Sequence, residues 1–281
     1  MKRESGVTPK QERPVRSRKH EAREGPRIVT LDIETSPIEA YVWSLFKVNI
    51  GLNQIAKEWS IMSYCIKDLG VKRVRYLDTS KKADPRDDYE LLTALHAELR
   101  NVDIVIAQNG KAFDLKKINA RFIQNGLAPL PPIKVIDTLL VAKDVAKFTS
   151  NRLEWLSKHL TDTPKYAHAE FPGMELWVEC LKGNPKAWRV MKKYNCIDVP
   201  ATEELYLKLR PYMQGHPNLA AYYDDEHVRC PRCASLSIRP IGPCYTQTGE
   251  YTRYQCGDCG GFARSRYTQN SKAKRLALLA N

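Results

Sequence analysis

The chain has 281 residues, 43% of them apolar, and a net charge of +13. That length and apolar content support one large domain, or a medium one beside a small one, around a real core. No run approaches the ~18–20 apolar residues of a membrane span, and the N-terminus lacks the apolar segment of a secretory signal, so no membrane association is expected. The eight cysteines with two Cys-x-x-Cys pairs fit metal binding in a reducing cytosol, and a cytoplasmic protein is expected. The excess positive charge points to a polyanionic partner, most often nucleic acid. It is concentrated at the ends. Residues 1–26 carry eight Lys/Arg against four acids and residues 228–281 nine against two, leaving the long middle close to neutral. Grip at the ends and chemistry in the middle is the expected division of labour.

Residues 1–26 are rich in Lys, Arg, Glu and Pro with few large apolar side chains, and read as a disordered basic arm. Its four glutamates argue against an organelle-targeting peptide. Ile28, Val29, Leu31 and Ile33 then give a buried strand that also carries Asp32 and Glu34. Ser36-Pro37 breaks it. Residues 38–58 hold Tyr41, Trp43, Leu45, Phe46 and Ile50 at irregular spacing, which predicts a loop packed on the domain edge. Two strand-like runs, 60–67 and 71–77, flank Asp68-Leu69-Gly70 and predict an antiparallel hairpin. Leu91, Leu92, Leu95 and Leu99 have helical spacing over 87–100, and 102–107 is another strand. A helix between hairpin and strand predicts a sheet of mixed direction.

After a turn at Asn109-Gly110, a helix from about 113 to 125 presents Leu115, Ile118 and Phe122 on one side, with Asp114 in its first turn. Residues 135–138 form a short strand, followed by a helix to about 147. Leu153, Leu156 and Leu160 mark a helix over 151–160. Residues 162–187 are less regular. A last helix over roughly 186–210 carries Tyr194 and Asp198 one turn apart on one face. The domain is expected over 27–213, with a linker at 214–227.

Four acids stand out: Asp32, Glu34, Asp114 and Asp198, with Tyr194 beside the last. Residues two apart on a strand share a face, so Asp32 and Glu34 stand side by side and repel unless a cation or shared proton relieves them. A strand end with both acids in water is the bland alternative. Phosphodiester hydrolysis needs stabilised charge on the attacking and leaving oxygens, which two Mg²⁺ or Mn²⁺ ions supply, and hard cations take oxygen ligands. One strand giving two acids and two helices giving one each could build such a site.

The runs Leu31-Asp-Ile-Glu-Thr-Ser-Pro37, Asn109-Gly-Lys-Ala-Phe-Asp114 and Tyr194-Asn-Cys-Ile-Asp198 resemble the three exonuclease motifs of the DEDD superfamily, which has the RNase H-like fold. Tyrosine four before the final aspartate resembles the DEDDy branch; the DEDDh branch would place histidine where Lys193 stands. Ile136-Asp137-Thr138 and Asn151-Arg152-Leu153 also resemble family B-type exonuclease sequence. The resemblance covers about 27–210. It implies that Asp32, Glu34, Asp114 and Asp198 hold two Mg²⁺ or Mn²⁺, that Tyr194 orients the water, and that Thr35, Asn109 and Phe113 contact the 3′-terminal nucleotides. It implies a metal-dependent 3′→5′ exonuclease acting on single-stranded 3′ ends of DNA in replication or repair, in a bacterial or phage-infected cell, and working alone or beside a separate DNA polymerase. RNA trimming of the ribonuclease D type, an endonuclease on the same fold and an inactive nucleic-acid-binding adaptor are the alternatives.

Cys230-Pro-Arg-Cys233 and Cys256-Gly-Asp-Cys259 are two Cys-x-x-Cys knuckles, and four thiolates at this spacing suit one structural Zn²⁺ in a ribbon over 228–267. Redox or incidental cysteines are the alternative. Cys244 is a spare within the loop, His227 a remote substitute, and Cys65, Cys180 and Cys196 read as buried thiols. Arginines interleave with aromatics here, and Arg232, Arg253 and Arg264 are expected to touch nucleic acid. The run from Tyr254 to Gly260 resembles ribbons of transposases and other DNA-handling proteins. A stability or protein-docking ribbon is the alternative. Residues 268–281 form a basic tail. The fold class expected is α/β, an RNase H-like mixed sheet flanked by helices plus a small C-terminal zinc ribbon.

Overall fold

The computed structural model describes residues 25–280, so the expected arm lies outside the described residues except at its last two positions. β1 (Ile28–Thr35) is followed by the short pair β2 (Glu39–Ala40) and β3 (Ile55–Lys57). Then come β4 (Ile61–Asp68), β5 (Val74–Asp78), α1 (Tyr89–Leu99), β6 (Ile104–Ala107) and α2 (Asp114–Gln124). β7 (Lys134–Asp137), α3 (Thr138–Val145), α4 (Leu153–Leu160), α5 (Glu175–Leu181) and α6 (Pro185–Leu209) complete the body.

The main sheet has the order β5-β4-β1-β6-β7. β1 is its central strand, antiparallel to β4 and parallel to β6. The chain dictates this change of direction. A short turn at Gly70, with φ +78, returns β4 on itself as β5, whereas β6 and β7 are reached through helical crossovers that favour parallel pairing. A mixed-direction α/β sheet flanked by helices is therefore the fold, as the residue patterns predict.

Strand alternation splits β1 between two cores. Val29, Leu31 and Ile33 pack with Leu91, Leu92, Leu95 and Leu99 of α1 and with Ile118 and Phe122 of α2. Ile28 packs on the other side, with Tyr206 of α6, so that side of β1 faces the long helix. α6 starts at the cap residue Asn184, whose side chain accepts from the N–H groups of Lys186 and Ala187, with Pro185 at the first position. It runs 25 residues, about 37 Å at 1.5 Å per residue, and continues through Pro200. A buried pair, Lys67 Nζ to Glu203 Oε1 at 2.5 Å, ties β4 to it.

Four stretches depart from expectation. Residues 38–58 are not packed down: Trp43 is fully exposed, and Tyr41, Leu45, Phe46 and Leu52 are each more than three-quarters exposed. Their irregular spacing gives no face that a neighbour could cover. The irregular stretch 162–187 contains α5, whose Leu176 and Cys180 are buried with Trp188 and Met191; seven residues are too few to show a period. The expected linker carries Leu219, which is buried together with Met213, Ile28, Ile106 and Ala234, so it packs between body and ribbon. The tail contains a short helix, α7 (Lys272–Ala277), capped by Ser271.

The C-terminal unit is a three-stranded antiparallel sheet, β10-β9-β8, from β8 (Ile238–Tyr245), β9 (Glu250–Cys256) and β10 (Phe262–Arg264). Its small core is the cysteine cluster with Ile238. So few apolar residues cannot offset chain entropy alone, so packing of the ribbon against the body, through Ala234 beside Ile28 and Met213, matters here.

Candidate active site

Asp32 and Glu34 emerge on the α6 side of the central strand. The parallel ladder with β6 ends at Thr30 opposite Ile106, so β1 and β6 part before the acids begin. Asp114, the first residue of α2, enters that gap and its Oδ1 accepts the backbone N–H of Ile33 at 3.2 Å. It is thereby fixed at the backbone between Asp32 and Glu34, and it is only 2% exposed. α6 supplies the other wall. Asn195 Nδ2 donates to Asp32 Oδ2 at 2.5 Å, while Asn195 Oδ1 accepts from Ser63 Oγ of β4 at 3.1 Å. Asp198, three residues on and 3% exposed, accepts from Lys165 Nζ through Oδ2 at 2.6 Å. Its other oxygen, Oδ1, is buried with no hydrogen-bond partner among the described residues. Glu34 Oε2 accepts from Trp177 Nε1 of α5 at 3.0 Å.

The four expected acids face one region and Asp32 feels the other three, although no three of their oxygens lie within 4.8 Å of one another. Burial raises the Asp32 carboxyl well above the usual range, and repulsion from Asp198, Glu34 and Asp114 adds to it. Burial, then Asp198, pushes Glu34 up to about 8 against the Trp177 hydrogen bond and the Lys165 charge. Burial pushes Asp114 up to about 7, against the N–H of Ile33. Asp198 is raised by burial and restrained by Lys165. Lys165 is itself held above the ordinary lysine range: burial opposes the charge, and Asp198 and Tyr194 outweigh it.

Tyr194 sits in an aromatic corner. Its ring meets His168 edge-on at 5.1 Å and Trp177 at 6.0 Å, and Lys165 Nζ lies 4.5 Å from its centre. Burial, against the Lys165 charge, pushes its phenol up to about 12, so it carries a proton throughout the neutral range.

Of the residues expected at the nucleotide path, Thr35 ends β1 at a register shift after Glu34, and Phe113 is partly exposed directly before Asp114. Asn109 holds φ +63. Asp137 fixes that turn, accepting from the N–H groups of Asn109 and Lys111 while also capping α3 through Leu139 and Leu140.

Sequence reading missed Lys165, His168, Trp177 and Asn195. Asn195 could have been found, because it stands three residues before Asp198 and so shares its helix face. Lys165 and His168 lie in irregular chain, where no periodicity aims a side chain.

Among the described residues, the group of three or more ligand side chains drawn within 4.8 Å of one another is Cys230, Cys233, Cys256 and Cys259. Cys230 and Cys259 Sγ lie 3.6 Å apart, as do those of Cys233 and Cys256. A tetrahedron with arms of about 2.3 Å has edges of about 3.8 Å, so this donor set fits zinc. Cys244 and His227 stand outside it. Arg232 departs from expectation. Its Nε and Nη2 donate to the Met213 carbonyl at 2.9 and 2.5 Å and its Nη1 to the Phe262 carbonyl, so its donors clamp ribbon to body and are not offered to a ligand. Arg253 and Arg264 are exposed.

A sequence model of the RNase H superfamily matches residues 49–210. The chain belongs to the RNase H superfamily. The matched segment includes Asp114, Tyr194 and Asp198 and begins after Asp32 and Glu34, which the fold nonetheless places beside them. No curated protein matches the chain. Among solved structures, this superfamily member is similar to the family B DNA polymerase from the hyperthermophilic archaeon Pyrobaculum calidifontis, with 13% identity and a TM-score of 0.46 over 67% of this chain. The similarity covers 26% of the polymerase chain, about a quarter of its length.

Proposed function

We propose that this RNase H superfamily member is a divalent-metal-dependent 3′→5′ exonuclease. The observation that carries the reading is the meeting of four acids from β1, α2 and α6, with Asp114 and Asp198 buried, Asp32 and Glu34 half-buried, and Asp198 Oδ1 left without a partner among the described residues. Burying carboxylates that repel one another is costly unless cations complete the site. Asp32, Glu34, Asp114 and Asp198 would hold two Mg²⁺ or Mn²⁺. When bound, such ions stabilise charge on the attacking and leaving oxygens of the phosphodiester.

The protein's own groups do the positioning. Asn195 and Trp177 orient the Asp32 and Glu34 carboxylates. Tyr194, keeping its proton, holds the attacking water by hydrogen bonding and does not act as a base. Lys165 balances the negative charge around Asp198. Thr35, Asn109 and Phe113 are proposed to meet the 3′-terminal nucleotides. The cysteine cluster would hold one structural zinc.

DNA is proposed as substrate because the motif-bearing runs resemble family B-type exonucleases, and a role in replication or repair beside a separate polymerase follows on the same ground. No helix among the described residues is long and apolar enough to cross a membrane, and action in the cytoplasm is part of the proposal. The test is cleavage of 5′-labelled single-stranded DNA and RNA with Mn²⁺ or Mg²⁺, with free and blocked 3′ ends. A one-nucleotide ladder on DNA that the block abolishes, and that Asp32→Ala eliminates, is expected. Internal cuts that ignore the block would replace the reading with an endonuclease, and a ladder on RNA alone would replace the substrate.

A further inference from the structure

We infer that one face of the ribbon sheet is a binding surface for single-stranded nucleic acid, gripping phosphates with Arg253 and Arg264 and stacking bases on Phe262. Residues directly opposite on antiparallel strands share a face. Arg253 of β9 stands opposite Arg264 of β10, and Gln255 opposite both Phe262 and Arg239. Tyr251 belongs to the same face, since the Arg264 guanidinium lies 4.1 Å from the centre of its ring. Arg239 Nη2 donates to Gln255 Oε1 at 3.3 Å on that face.

Two like charges directly opposite each other repel. No carboxylate offsets them: among the described residues, Arg239, Arg253 and Arg264 have none within ion-pair distance, and the partners of Arg264 are neutral, the Tyr251 ring and the Ser265 carbonyl, to which its Nη1 donates at 3.2 Å. The ribbon's two acids stand elsewhere. Glu250 alternates to the opposite face and pairs with Lys274, and Asp258 lies in the second knuckle. A polyanion relieves that repulsion.

The shape of the face selects a single strand. On the β8 side Arg253 is opposed by Gly242, at φ +118, with no atom within 4 Å of where its Cβ would stand, so the strand beside this exposed arginine carries no side chain to crowd it. Phe262 is 51% exposed at the edge strand. Flat arginine and aromatic groups alternating over a small sheet suit backbone phosphates and unstacked bases together, whereas a duplex hides its base faces. Arg232, which the sequence offers as an equal candidate, is excluded by its two carbonyl contacts.

This deepens the nuclease reading and rests on its assumption of a nucleic-acid substrate, but it is measured separately. Fluorescence anisotropy of a labelled 15-nucleotide single-stranded DNA, a matching RNA and a DNA duplex is followed with zinc-loaded full-length protein and no added Mg²⁺ or Mn²⁺, across a salt series. Arg253→Gln/Arg264→Gln is expected to weaken single-strand binding about tenfold or more and to lower the slope of log affinity against log salt by about 1.4. Phe262→Ala is expected to weaken it about fivefold without changing the slope. Zinc content and melting temperature of each variant should match the parent. Unchanged affinity and slope in the double variant would overturn the surface, and loss confined to the duplex would overturn its preference for single strands. A parent that binds in this way but cuts nothing fails the nuclease reading and leaves this surface standing.

Discussion

Lys165 Nζ lies 2.6 Å from Asp198 Oδ2, a cation set beside four carboxylates that repel one another. The lysine lowers the cost of charge at Asp32, Glu34 and Asp198 alike. Replacing it by methionine keeps the stem and removes the charge. Lys165→Met should cost the metal-free protein about 3 kcal/mol, because Asp198 is left buried and unpaired. Mn²⁺ should raise the melting temperature of this variant more than that of the parent. Thermal melts with and without the ion decide it; an unchanged metal-free melt would show that the lysine is not holding the acids.

The carboxyl groups also set a pH dependence opposite to that of ordinary ion-paired acids. Glu34 is pushed up to about 8 and Asp114 to about 7 in the fold, above their values in the unfolded chain. The native state therefore binds more protons between about pH 4 and 8. This contribution to stability is fully present below the unfolded values and is lost as pH rises through 7 to 8. The metal-free protein should lose thermal stability between pH 5 and 8.5, and Glu34→Gln should flatten the loss. Divalent ions compete with these protons, so the gain on adding Mn²⁺ should be larger at pH 8 than at pH 5.5. A gain independent of pH would count against carboxylate ligation.

Asn195 and Trp177 each hold one oxygen of a proposed ligand, Asp32 and Glu34 respectively. Partners of this kind set ligand orientation, and their loss costs about 10–100-fold in metal affinity or activity. Asn195→Ala and Trp177→Phe should raise the Mn²⁺ concentration for half-maximal cleavage by that factor, with activity recovering at high Mn²⁺. No shift in the Mn²⁺ titration would leave both residues as packing only.

Tyr194→Phe removes a phenol that keeps its proton to about pH 12. Turnover should fall about a hundredfold, the scale of a lost positioning or proton-handling group. The shape of the pH–rate profile between 7 and 9 should not change. A base role for the phenol predicts that the parent's rate climbs steeply towards pH 10 and that the variant's does not.

The ribbon and body share a core in which Ala234, beside the first knuckle, is buried with Ile28 at the foot of β1. Arg232 bridges the same junction through carbonyls of Met213 and Phe262. Arg232→Ala should cost about 2 kcal/mol and leave the salt slope of nucleic-acid binding as it was. Cys256→Ser/Cys259→Ser should release zinc and lower the melting temperature of the whole chain in one transition. Two separate transitions in calorimetry would mean that the units fold independently.

Most of the body was legible in the residues because its information is local. Leucines at 91, 92, 95 and 99 state the face of α1, and β-branched runs state β1, β4 and β6, since period follows from backbone geometry. The acids at 32, 34, 114 and 198 and the paired knuckles are equally visible, because their chemistry constrains residue type and spacing. Where the local signal is short or irregular, reading failed. Seven residues of α5 show no period, and the apolar side chains of 38–58 have no face, so nothing in their order says that they stand in solvent.

What the sequence alone determined is therefore most of the body's longer elements, the positions of the four acids and Tyr194 in the chain, and the cysteine spacing. What only the tertiary structure decided is which groups those residues meet. Asn195 reaches Asp32 across 163 residues of chain, Trp177 reaches Glu34 across 143, and Lys165 reaches Asp198 from a segment without regular structure. Arg232 and Arg253 belong to the same composition, yet one is clamped on carbonyls and the other faces water. Partnership between distant residues depends on how sheets and helices pack, and neither residue's neighbours in the chain carry a record of it.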